Sequence, residues 1–143
     1  DVDASLLILP LVGYCDADSP RMRGTTRLVH EKLSKNGLLY RYKNVDDGVN
    51  GREGAFGICS FWFIAGLVRQ GRVQEARELF ESILKRGSPL GLWPEQLNPD
   101  LPPGSGAKGF LGNYPQGFTH IGLINTALNL NGAVQELKKK GAA

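Results

Sequence analysis

The spacing of apolar and polar positions changes several times along the chain, and each change marks an element. Residues 5–14 (SLLILPLVGY) form a short apolar stretch interrupted by Pro10. Asp18-Ser19-Pro20 then carries a helix-start signature, because proline is pre-set for the first helical turn. Leu28, Val29 and Leu33 share one face at helical spacing, so a helix is predicted to residue 34, with Asn36-Gly37 closing it. Residues 38–42 (LLYRY) read as extended, and residues 43–54 as a loop rich in Asp, Asn and Gly.

The next segments divide into two kinds. Residues 55–68 (AFGICSFWFIAGLV) contain no charge and are apolar on every side, the pattern of a helix buried all round. The segment is too short and too punctuated by glycine for a membrane span. Residues 73–86 (VQEARELFESILKR) are amphipathic, with Val73, Ala76, Phe80, Ile83 and Leu84 on one stripe. Residues 88–114 form a long connection with five of the eight prolines, and a connection of that length in a compact domain is usually functional or disordered. Its Trp93, Leu97 and Phe110 argue for order. A last helix is predicted over 115–130. No Lys, Arg, Asp or Glu occurs between residues 109 and 135, yet Asn113, Gln116, Thr119, His120, Asn125 and Asn129 do, so this is an interior helix whose polar groups need partners. Interior and amphipathic helices therefore alternate. An all-α barrel of inner and outer helices has that pattern, and so does a solenoid of stacked helix pairs.

Composition narrows the classes. The 143 residues make a single domain, and 41% hydrophobic with 22% charged residues is ordinary globular content. The net charge of +3 is not gathered into a stripe; Lys138, Lys139 and Lys140 form the one basic run, at a predicted helix end where cations suit the dipole. A solvated helix end fits that run better than a nucleic-acid footprint, which needs more basic clustering with aromatic interleaving. Cys15 and Cys59 read as free thiols in apolar surroundings. There is no CxxC, and His30 and His120 are far apart, so no metal spacing is visible. No basic region precedes the first apolar run, so no secretory leader is expected and the cytoplasm is favoured over other compartments. The first residue is Asp1 and not Met, which leaves open that the chain is part of a longer one.

Two functions of different class fit this pattern. Residues 66–87 look like one unit of a tetratricopeptide or pentatricopeptide array, a helical-repeat module that binds protein or RNA. Such repeats recur at about 34 residues, and no second copy lies at that period.

The other function rests on ordered blocks: residues 1–13 (DVDASLLILPLVG), 37–42 (GLLYRY), 53–62 (EGAFGICSFW), the helix pair, Pro94-Glu95-Gln96, and 112–123 (GNYPQGFTHIGL). Together they resemble glycoside hydrolase family 15, which holds glucoamylases, glucodextranases and related trehalases. The resemblance spans almost the whole chain and is closest to the prokaryotic branch. It implies an (α/α)6 barrel, of which this chain would be the C-terminal portion. It also implies inverting hydrolysis of α-glucosidic bonds, which needs two carboxyl groups about 6.5–9.5 Å apart.

In the family the general base lies in a Glu-Gln step of the late loop, so the match makes Glu95 the candidate base, held between Pro94 and Pro99. The alternative is a loop glutamate that caps or pairs. Gln96, beside it, is a substrate-binding candidate. The family's general acid lies upstream of the matched region, so the isolated chain is expected to be inactive. Glu53 would touch substrate hydroxyls or cap the buried helix. Arg41 matches a substrate-binding arginine, with an ion pair as the alternative. Phe118 falls where relatives carry a pocket aromatic, or else in the core. Trp93, in the loop beside Glu95, is the stacking candidate, while Trp62 reads as core. Gln116 and His120, on the charge-free helix, are further pocket candidates. The implied partners are an α-glucoside and the remainder of the catalytic domain, with no cofactor, metal, nucleic acid or membrane. Starch-like chains, dextran-type linkages and trehalose all remain open as substrate.

Overall fold

The computed structural model describes residues 1–43 and 53–141. Most of the predicted loop at 43–54 lies outside the described residues. The elements are a short 3-10 turn at Ala4–Ile8, helix α1 (Pro20–Leu33), hairpin strands β1 (Ser34–Lys35) and β2 (Leu38–Leu39), strand β3 (Ala55–Phe56), helices α2 (Gly57–Arg69) and α3 (Val73–Leu84), strands β4 (Gln96–Leu97) and β5 (Phe110–Leu111), and helix α4 (Gly117–Gly141). No helix among the described residues is long and apolar enough to cross a membrane.

Helix α1 starts where predicted. Ser19 caps it by accepting the Met22 amide, and Pro20 opens its first turn. Its end differs from expectation. Asn36 (φ 51°) and Gly37 (φ 78°) do not close the helix but form the two-residue turn between β1 and β2, a turn that needs positive φ at both positions.

Helix α2 is the centre of the core. Ten of its thirteen residues are buried, and it packs against α3, α4, β2 and the first turn. Phe61 is fully enclosed, with Phe80 and Trp93 edge-on to its ring. Helix α3 buries Val73, Ala76, Phe80 and Ile83, the stripe read from sequence, whereas Leu84 is exposed.

Helix α4 meets α2 through small residues. Thr119, Gly122, Thr126 and Leu130 form its buried face. A Cβ on Gly122 would lie 3.1 Å from Ile58 and 3.2 Å from Phe61, and Thr126 Oγ1 donates to the Phe61 carbonyl at 3.1 Å. On its other side Phe118, Ile121, Ile124 and Leu128 are exposed, the apolar surface expected of an interior helix in one portion of a larger barrel. With Ile8, Leu11, Val12 and Trp62, two of them (Ile121 and Leu128) border an open groove of about 370 Å³.

The long connection carries structure that the sequence reading missed. β4 pairs antiparallel with both β3 and β5, giving a three-stranded sheet over the start of α2. Buried Arg86 ties the connection down, donating to the carbonyls of Leu101 (2.8 Å) and Asn36 (3.0 Å). Burial without full solvation lowers its pKa.

Burial pushes the Cys59 thiol from 9.0 up to about 12, with Arg41 opposing the shift and Asp3 adding to it. The unfolded thiol therefore loses its proton first as pH rises. Its contribution to stability is complete below pH 9.0 and disappears as pH rises towards about 12. Urea unfolding of wild type and Cys59→Ala across that range is expected to show a steeper alkaline loss for wild type. A thiol reagent at pH 8 is expected to modify half-buried Cys15 and to reach Cys59 only on unfolding.

Candidate active site

The sheet brings Glu95 to the first turn of α2. The pairing Ala55↔Leu97 and Phe56↔Gln96 runs on one step further, where the Gly57 amide donates to the Glu95 carbonyl at 2.9 Å. That bond satisfies an amide at the helix start, which otherwise has no side-chain cap. Glycine is required at 57, since a Cβ would meet Thr119 Cγ2 at 2.7 Å and the Glu95 carbonyl at 3.4 Å. Pro94 is buried, so the chain enters Glu95 from a fixed position.

On its other side Glu95 meets Asn113. The Glu95 amide donates to the Asn113 carbonyl at 2.8 Å. In return the Asn113 backbone amide (3.0 Å) and Nδ2 (2.8 Å) both donate to Glu95 Oε2. Oε1 has no hydrogen-bond partner among the described residues. The half-buried carboxylate is thus held by one oxygen and open at the other.

Gln96 and Glu53 stand together. Gln96 Nε2 donates to Glu53 Oε1 at 3.0 Å, and Gln96 Oε1 accepts the Gly54 amide at 2.9 Å. Glu53 does not cap α2, whose first amide is taken by the Glu95 carbonyl. Arg41 follows β2; its Nε lies 3.7 Å from Asp3 Oδ2, and its guanidinium lies over Tyr42. Both charges are half exposed, so this pairing leaves the guanidinium accessible. The Leu39 amide donates to Ser60 Oγ at 2.9 Å, which sets β2, and Arg41 just after it, against the first turns of α2.

The start of α4 joins the group through the backbone. The Gln116 amide donates to the Trp93 carbonyl at 2.8 Å. His120 Nδ1 donates to the Gln116 carbonyl at 2.7 Å, and His120 Nε2 is buried with no partner among the described residues, as is Thr119 Oγ1. Phe118 is 60% exposed at the mouth of this end and is not a core aromatic here.

Trp93 is the correction. Its indole is 2% exposed, edge-on to Phe61 and against Gly87, where a Cβ would lie 2.9 Å from the ring. The connection folds back onto the core ahead of the strand, burying Trp93 and Pro94 just before half-buried Glu95, so the indole does not offer a face to a sugar. Sequence reasoning also passed over Gly57, Gly112 and Thr119 as site residues and noted Asn113 only as polar. The one available signal was the Gly112-Asn113 pair, a turn dipeptide set between apolar residues.

An open cavity of about 490 Å³ lies elsewhere, between α1 and α2 beside His30 and Phe63. Its arginines are each paired, Arg23 with Asp18, Arg27 with Glu31 and Arg72 with Glu75, so it offers no unbalanced charge. The residues around Glu95 are the better site because an oriented ionisable group stands there.

Comparison with known proteins fits this geometry. Residues 1–128 match the family described as Glycosyl hydrolases family 15. The chain is 41% identical over 142 residues to a trehalase of Mycobacterium tuberculosis and 39% identical over 142 residues to one of Mycolicibacterium smegmatis; each alignment covers 98% of this chain and 20% of the relative. A trehalase of Thermoplasma acidophilum is 39% identical over 133 residues, covering 93% of this chain and 22% of the relative. The chain therefore spans about a fifth of the length of these relatives. Among solved structures, a wild-type glycosidase superposes with a TM-score of 0.74 at 22% identity, over 91% of this chain and 36% of that one. Its helices thus have the arrangement of a glycosidase (α/α)6 barrel segment, and with the family match over most of its length the chain belongs to glycosyl hydrolase family 15.

Proposed function

We propose that this chain is the base-bearing C-terminal portion of a trehalose-hydrolysing catalytic domain that works with inversion. The observation that carries the reading is the Glu95 carboxylate, anchored through Oε2 and open at Oε1, on the Glu-Gln step where the family has its base. The relatives named trehalases support trehalose over starch-like or dextran-type substrates.

In this mechanism Oε1 takes a proton from a water whose oxygen attacks C1 of one glucose. The bond from C1 to the bridging oxygen breaks, and an acid from the upstream part of the domain protonates that oxygen. The attacked glucose leaves as the β anomer and the other keeps its α configuration. Gln96, next to the base in the chain, and Glu53, bonded to Gln96, supply donors and acceptors suited to sugar hydroxyls, with Arg41 as a further donor. Phe118 offers an exposed ring at the mouth, and His120 Nε2 a polar atom still to be matched. The exposed stripe on α4 and the groove beside it take the rest of the domain, because an apolar surface of that kind is rarely left open to water.

The chain joined to its upstream segment is expected to release α- and β-glucose in equal initial amounts from trehalose, followed by proton NMR. Release of α-glucose alone would exclude inversion. Glu95→Gln is expected to lower kcat by about a thousandfold or more, as loss of a general base does; wild-type turnover in this variant would remove Glu95 from the chemistry. The 143-residue chain alone is expected to give no hydrolysis and to bind a hydrophobic dye that the joined protein does not. Turnover by the chain alone would mean that it holds both carboxyl groups.

A further inference from the structure

We infer that Asn113, set by a one-residue bulge at Gly112, is the positioning residue that decides which oxygen of Glu95 acts as base; the inference rests on the reading of Glu95 given above. The register of β4 with β5 runs Leu97↔Phe110 and Gln96↔Leu111. Continued by one step, it would set Glu95 opposite Gly112. Instead the Glu95 amide reaches the Asn113 carbonyl. Gly112, at φ 70°, is the extra residue, and such bulges bend a strand and re-aim side chains.

The consequence is local and directional. Asn113 arrives with its backbone amide and Nδ2 on the same oxygen, Oε2, at 3.0 and 2.8 Å. A Cβ at position 112 would lie 2.8 Å from that oxygen and 3.1 Å from Glu95 Cβ, so only glycine lets the carboxylate sit there. With Oε2 doubly held, the lone pairs of Oε1 are the ones left to meet water. When Oε1 takes the proton, Oε2 becomes the carbonyl oxygen of the acid and still accepts both hydrogen bonds. The cradle need not rearrange during the proton transfer, which is what a preorganised site requires. Asn113 touches neither water nor sugar in this scheme; it acts through Glu95.

The test uses the chain joined to its upstream segment, with trehalose as substrate, and compares Asn113→Ala, Asn113→Asp, Gly112→Ala and Glu95→Gln. Asn113→Ala keeps the backbone amide and is expected to lower kcat by about 10- to 100-fold, with KM changed by no more than about twofold. Asn113→Asp has the same shape but turns an acceptor towards Oε2, so its kcat is expected to fall below that of Asn113→Ala. A merely structural asparagine would give the opposite order, because the isosteric variant packs better. Gly112→Ala is expected to lose at least as much as Asn113→Ala. Melting temperatures are measured alongside, and kcat values are compared only among variants that melt as wild type does; Asn113→Ala and Asn113→Asp keep the backbone and are expected to. Wild-type kcat in Asn113→Ala, a loss in KM alone, or Asp at or above Ala would each overturn the inference. Glu95→Gln separates the two levels: if it is inactive while the Asn113 variants are not impaired, the positioning role fails and the base stands, and if it is fully active the base reading fails as well.

Discussion

The contact between Gly57 and Thr119 sets the spacing on which the rest of the site depends. Because position 57 lacks a Cβ, α4 can close on the first turn of α2, and the same gap admits the Glu95 carbonyl to the Gly57 amide. Three parts of the chain that are distant in sequence meet at this point: the start of the buried helix, the acid in the proline-rich connection, and the start of the last helix. A larger residue at 57 would separate all three at once. Helix packing and the placement of the Glu95 backbone are therefore one constraint here.

The sheet converts that constraint into direction. Its strands are only two residues long and add little stability by themselves. Their value lies in placement. Pairing with β3 seats buried Leu97 in the core, Gln96 reaches Glu53, and Glu95, one residue before the strand, reaches Asn113. Arg86, held between the hairpin turn and the connection, keeps the far part of the loop from pulling on this register.

Much of the helical frame was legible in the sequence. The cap at Ser19, the uncharged α2 and the amphipathic α3 each announced themselves through local chemistry: a hydroxyl before proline, a run with no charge, a stripe at a period of 3.6 residues. The sheet was not legible, because two-residue strands have no periodicity to detect and their partners are up to about forty residues apart in the chain. Glu95 became a candidate through resemblance and not through pattern. The bond from Asn113 to Glu95 was not legible because it comes from pairing geometry, and Trp93 was misplaced because a tryptophan in a loop reads as exposed until the loop is seen to be folded onto the core. Asn36-Gly37 shows the same limit: one dipeptide serves as helix stop or hairpin turn, and the residues that decide lie beyond it.

The two faces of α4 carry opposite tolerances to change in volume. On the face toward α2, at Thr119, Gly122 and Thr126, the helices lie close enough that added atoms are the chief hazard. On the opposite face, at Phe118, Ile121, Ile124 and Leu128, the side chains are large and mostly exposed, so added atoms have room. Evolution along this helix is therefore steered by sign as well as by size. Drift can shrink one side and enlarge the other, and a substitution that is harmless at one position is damaging when moved by a single residue.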